Sequence, residues 1–239
     1  MWQHDWPVPD NIGLVFTDRF GGISQAPYAE LNLGAHVGDE SAHVSHNRDL
    51  LVSRYQLPSA PVWLEQVHST KVLSNPDNIS VVAADGSFTN QAHTVCAVMT
   101  ADCLPVVICN QEGTEVSAVH AGWRGLCEGI IENALQLFDS PANSLIAYLG
   151  PAIGPNTFEV GAEVRAAFIK HDPKANECFI ASGDKYLADI YQLAAQRLQR
   201  FGVQQIFSAN ECTVSNPQFF SYRRQAQTGR QATLVWLKS

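Results

Sequence analysis

Short apolar runs bounded by turn residues recur along the chain, at residues 13–16, 62–67, 95–99, 104–109, 116–119, 145–149, 158–160, 203–207 and 233–237. They are rich in Val and Ile and too short for helices, so they predict buried strands. Helical spacing appears between them. A helix over residues 41–56 has Val44, Leu51 and Tyr55 on one face and stops before Pro58. Leu126, Ile130, Ala134, Leu137 and Phe138 trace a second apolar face, and residues 163–170 form a third helix. A fourth helix carries Leu187, Ile190, Tyr191, Ala194, Leu198 and Phe201, with Asp184 as its cap and Gly202 as its stop. A short helix is expected over residues 217–222. Four of the strands, from residue 62 to residue 119, follow one another with no helix between them, so strict βαβ alternation is absent. The pattern therefore predicts an α+β fold with mixed or antiparallel sheets.

Where apolar runs give way to turns, chemistry-bearing residues appear. The run at 62–67 ends at His68, the connection Thr100-Ala101-Asp102-Cys103 joins two strands, and the run at 116–119 ends at His120. Strand ends are where clefts form in sheet proteins. Two imidazoles and a thiolate are a known ligand set for a catalytic zinc that keeps one open position. The separations of 35 and 17 residues match no short metal motif. The same residues fit a second chemistry, a Cys103 nucleophile with His120 as its base. Asp102, beside Cys103, is a candidate acid, base or orienting group, and Glu65 is a candidate by proximity alone.

Composition narrows the choices. A chain of 239 residues with 46% hydrophobic and 16% charged residues is expected to form one globular domain, residues 1–239. A net charge of −8 argues against a nucleic-acid partner. The one basic cluster, Arg223, Arg224 and Arg230, is either a solvated helix end or an anion site. Arg48, on the first helix, is by default a solvated residue. No run reaches the ~20 apolar residues of a membrane span, and the N-terminus has no signal-peptide pattern. The expectation is a cytoplasmic protein, monomeric or weakly dimeric. The six Cys are expected to be free, with Cys96, Cys109 and Cys127 buried.

The segments TDRFGGIS, LNLGAHVGD, NRDLL, LEQVHS, TADCLPV, VHAGWRGL, GPAIGP, FEVG and FFSYRRQAQTGR resemble the YfiH-like family, also called laccase-domain or purine nucleoside phosphorylase-like. The resemblance runs from about Thr17 to the C-terminus. It implies a four-layer α/β/β/α sandwich, a metal triad of His68, Cys103 and His120 binding Zn2+ or Cu2+, and small-molecule substrates. Those substrates would be purine nucleosides and phosphate, with phosphorolysis of adenosine, inosine, guanosine and methylthioadenosine and deamination of adenosine. Arg48 falls in a motif linked to phosphate or substrate. For some members the implied role is instead editing of peptidoglycan precursors that carry L-serine. The laccase label fits the residue counts poorly: a trinuclear copper cluster needs many His in HxH pairs, and this chain has 8 His and no HxH. The HxE and PCxxC signature of zinc deaminases is absent as well.

Overall fold

A computed structural model describes residues 2–77 and 81–238. In chain order the strands are β1 (Ile12–Phe16), β2 (Val72–Ser74), β3 (Gly86–Thr89), β4 (Val95–Thr100), β5 (Leu104–Asn110), β6 (Val116–Ala121), β7 (Leu145–Leu149), β8 (Glu159–Val160), β9 (Phe179–Ser182), β10 (Lys185–Ala188), β11 (Gln205–Ser208) and β12 (Gln231–Leu237). The helices are α1 (Ser41–Tyr55), α2 (Trp123–Glu128), α3 (Ile130–Leu135), α4 (Ala162–His171) and α5 (Ile190–Arg200).

Two sheets stack. One has the order β1-β12-β4, wholly antiparallel; the other, β11-β7-β5-β6-β3-β2, is mixed. Strands buried on both faces carry near-continuous apolar sequence, which is why the central runs do not alternate with polar residues. Between the sheets lie Phe16, Val98, Val107, Ala118, Tyr148 and Val235. On the far side of the small sheet, Leu51 of α1 packs with Leu31, Leu33 and Met99. On the far side of the large sheet, Leu126, Ile130, Phe168 and Leu198 cover Leu104, Val106 and Val119. The layers are thus helix, sheet, sheet, helix, as the resemblance implied. A small antiparallel sheet, β8-β10-β9, is additional.

Several local expectations are corrected. Among the described residues, 62–67 make only isolated bridges, Val62 with Cys96 and Glu65 with Ala83. In place of a backbone ladder, the side-chain amide of Gln66 donates to the Met99 carbonyl at 2.8 Å and accepts from the Met99 N–H at 2.7 Å. The helix expected to run from Leu126 to Phe138 breaks at Gly129, whose φ of +105° cannot continue a helix. Asp184 lies between β9 and β10, next to Gly183 with φ +62°, and Asp189 caps α5 by accepting from Gln192 N–H at 3.0 Å. Residues 217–222 form turns instead of a helix. Arg224 stabilises them by donating to the carbonyls of Thr213, Val214, Asn216 and Phe219.

Candidate metal centre

β6 carries His120, paired in register with Pro105 at the start of β5, so Cys103 in the preceding turn comes beside it. His68 sits in a turn with φ +61°, a conformation a non-glycine residue holds only when its surroundings fix it. Asp85, just before β3, supplies that fixing. Its buried carboxylate accepts from the backbone N–H groups of His68 at 3.0 Å and Ser69 at 2.6 Å, and from the Ser69 hydroxyl at 2.7 Å. It also binds Nδ1 of His120 at 2.8 Å. The contact leaves Nε2 of His120 to face outward as a ligand or base. Asp85 was not foreseen. A charge inside an apolar stretch, VVAADGSF, was the available signal.

The donor atoms of His68, Cys103 and His120 lie within 4.8 Å of one another, with Cys103 Sγ 3.9 Å from His68 Nε2. The His rings meet edge-on at 4.8 Å between centroids. Glycine makes this crowding feasible: a Cβ on Gly122 would stand 2.8 Å from His68 Cδ2 and 3.2 Å from Cys103 Sγ. Burial disfavours the Cys103 thiolate, yet the charge of His120 and hydrogen bonds from both imidazoles outweigh it, and the thiol is lowered well below its usual range. Burial likewise disfavours the His120 imidazolium, but Cys103 and Asp85 raise its pKa. One thiolate and two imidazoles, one of them held by a carboxylate, form a set that fits a single zinc or copper ion. Bound there, such an ion would supply Lewis-acid polarisation or a lowered pKa for bound water.

Beside the triad opens a cavity of about 320 Å³ walled by Trp123, Ile153, Phe158 and Ile190, with Tyr222 and Arg223 at its edge. Trp123, Ile153 and Phe158 come from three different motif segments, Ile190 from the start of α5, and Asp102 ties the Ile153 and Arg223 segments together. Its φ is +92°, its carbonyl accepts from Ile153 N–H at 2.8 Å, and its carboxylate accepts from Thr213 Oγ1 and from Arg223 N–H, both at 2.6 Å. Both carboxylate oxygens are thereby engaged in holding loops.

The arginines divide. Arg223 is exposed and its guanidinium rests on the Thr157 and Glu159 carbonyls at 3.3 Å. Arg224 is committed to its turn. Arg48 is half-buried, not solvated: it donates to the Leu33 carbonyl at 3.0 and 2.8 Å and lies over the Trp63 ring at 4.2 Å. Burial lowers its pKa to about 10. It opens on a separate cavity of about 420 Å³ with His36, Trp63, Gln66 and Met99. Arg230 donates to the Thr228 and Gly229 carbonyls; burial lowers its pKa, and the nearby charges of Cys103 and Asp102 act the other way. Glu65 is exposed and lines the Arg48 cavity, outside the triad.

Fold and site together define an α/β/β/α protein with a donor set for one soft-to-borderline metal ion beside an aromatic cavity. The chain belongs to the family described as multi-copper polyphenol oxidoreductase laccase, whose model matches residues 13–238. Among its relatives is "Purine nucleoside phosphorylase YfiH" of Shigella flexneri, 55% identical over 234 residues that cover 97% of this chain and 96% of that one. The protein named "Purine nucleoside phosphorylase" in Haemophilus influenzae is 47% identical, covering 98% of both. The solved structure of Neisseria meningitidis NMB0706, a DUF152 protein, superposes with a TM-score of 0.94 at 44% identity over 98% of both chains. YlmD of Geobacillus stearothermophilus superposes at 0.91 with 27% identity over 96% of this chain and 93% of that one. The family description speaks of several coppers. Among the described residues, only two clusters of three or more His, Cys, Asp or Glu side chains bring donor atoms together, and the His68, Cys103 and His120 group is the one with two His. Nothing there resembles a trinuclear copper centre.

Proposed function

We propose that the protein is a metal-dependent purine nucleoside phosphorylase acting at the His68, Cys103 and His120 centre. The observation that carries this reading is the contact between that centre and the aromatic cavity: Trp123, Phe158 and Tyr222 offer flat apolar surfaces of the kind a purine stacks on, with a cationic Arg223 at the rim. The names of the relatives support the same substrate class. In this reading His120, oriented by Asp85, handles a proton at Nε2, the cavity walls exclude water around the base, and arginine binds the phosphate dianion. Zinc is the expected ion, and adenosine deamination and methylthioadenosine phosphorolysis are expected side activities of the same pocket.

The test is product identification from inosine and adenosine with and without phosphate. Cleavage that saturates with phosphate and yields ribose 1-phosphate is expected; free ribose at a phosphate-independent rate overturns the reading. A second reading is favoured by one observation, the chain of contacts from Asp85 through His120 to the Cys103 thiolate, which is also the layout of a Cys hydrolase. Amide cleavage in a cell-wall precursor carrying L-serine would then be the reaction. Activity that survives verified metal removal, with a covalent adduct at Cys103, would favour that alternative.

A further inference from the structure

α2 begins at the metal centre and ends about a helix-length away in a second group of donors. Cys127 and Glu128 close α2, and His171 closes α4. Cys127 Sγ, a Glu128 carboxylate oxygen and a His171 ring nitrogen lie within 4.8 Å of one another, with Glu128 Oε1 3.9 Å from His171 Nε2. The geometry points to a second divalent-metal site of the zinc class, made by Cys127, Glu128 and His171, that clamps α2 to α4.

The arrangement has the features such a site needs. The donors differ in softness, and thiolate with imidazole and carboxylate selects zinc-like ions over magnesium or calcium. Metal bonds of about 2.0–2.3 Å place tetrahedral donors about 3.5 Å apart. Glu128 and His171 are exposed and have room to turn toward that spacing, while Cys127 forms a fixed floor at 1% exposure. Two helix C-termini converge there, and their carbonyl ends favour a cation. The Glu132 carboxylate lies close enough to act on Cys127 and pairs with Arg197 at 2.7 Å through Oε1, while its buried Oε2 has no hydrogen-bond partner among the described residues. A clamp here would fix the helix whose first residue, Trp123, walls the aromatic cavity. None of this depends on the nucleoside reading, since the site shares no ligand with the triad.

Zinc content after equilibrium dialysis of the full chain at fixed free zinc tests the inference. The Cys103→Ala protein, with the triad disabled, should still retain one zinc per chain. Adding His171→Ala should remove it, and adding Glu128→Gln instead should weaken it at least ~10-fold. Both changed residues are exposed, so the unfolding midpoints of the zinc-free variants should match the zinc-free Cys103→Ala protein. A zinc-dependent rise in midpoint should be present in Cys103→Ala and lost with His171→Ala. Cys103→Ala protein that binds no zinc, or that keeps its zinc at unchanged affinity after His171→Ala or Glu128→Gln, overturns the proposal.

Discussion

The carboxylate of Asp85 joins His120 and His68 through one buried group: it binds the His120 ring at 2.8 Å and the His68 backbone N–H at 3.0 Å. One carboxylate outside the donor set thus orients the His120 imidazole and anchors the backbone turn that carries His68. Asp85→Asn keeps the shape and removes the charge that favours Nδ1–H on His120. Metal affinity at the triad should fall ~10- to 100-fold, the range seen when a ligand's supporting partner is lost. Competition titration against a metal indicator measures it, and unchanged affinity would show that Asp85 serves folding alone.

The same carboxylate predicts an acid-side stability loss. Burial opposes its ionisation, but hydrogen bonds from His120 and Ser69 prevail and hold its pKa at about 2, below the ordinary 3.8. A depressed folded-state pKa contributes stability that is present above 3.8 and lost as pH falls through about 2. The contribution is about 2 kcal/mol. Urea unfolding at pH 5 and at pH 2 should therefore show the native chain losing about 2 kcal/mol more than Asp85→Asn over that window. Equal losses would mean the carboxylate is not held in this way.

Gly122→Ala should separate site from fold. The new methyl would meet His68 and Cys103 at 2.8 and 3.2 Å, and one side or the other must move. The cost in stability should be about 1–3 kcal/mol, typical of overpacking, while metal content at the triad should fall much further than that cost alone explains. Metal analysis beside a thermal melt reads both. Retention of full metal would show that the His68 turn yields without disturbing its donors.

How much of this was legible beforehand follows from the range of each interaction. Cys103 and His120 stood out because the ends of β5 and β6 are visible in local patterning, His68 because it closes an apolar run that the fold uses only for isolated bridges, and the two-sheet core was visible in the Val and Ile runs. Asp85 was hidden because its partners lie 16 to 35 residues away and its role exists only once β3 and β6 pair. Gln66 imitates a strand with a side chain, which no backbone periodicity reveals. The misplaced α5 cap arose because both Asp184 and Asp189 precede apolar residues; the hairpin between β9 and β10 claimed the first. Arg48 looked exposed on α1 because its aromatic partner, Trp63, arrives from a segment outside the helix.

The placement of the arginines makes the sharpest test of the proposed chemistry. A phosphate dianion in a chain of net charge −8 needs local donors. Arg223 borders the aromatic cavity on long carbonyl contacts of 3.3 Å, so its guanidinium can turn to an anion at little cost. Arg48 is already engaged with Leu33 and Trp63. Arg223→Ala should therefore raise the phosphate KM by one to two decades, the equivalent of about 1.5–3 kcal/mol for a charge-assisted contact, and leave the unfolding midpoint in place. Arg48→Ala should lower both stability and phosphorolysis, since the Leu33 carbonyl loses its donors and the ring loses its cation. Arg48→Lys should recover only part, because lysine keeps the charge and loses the fork. Deamination needs no phosphate, so Arg223→Ala should spare it. If Arg223→Ala leaves the phosphate KM untouched while Arg48→Ala raises it without loss of stability, the anion sits on the His36 and Arg48 side of the centre instead.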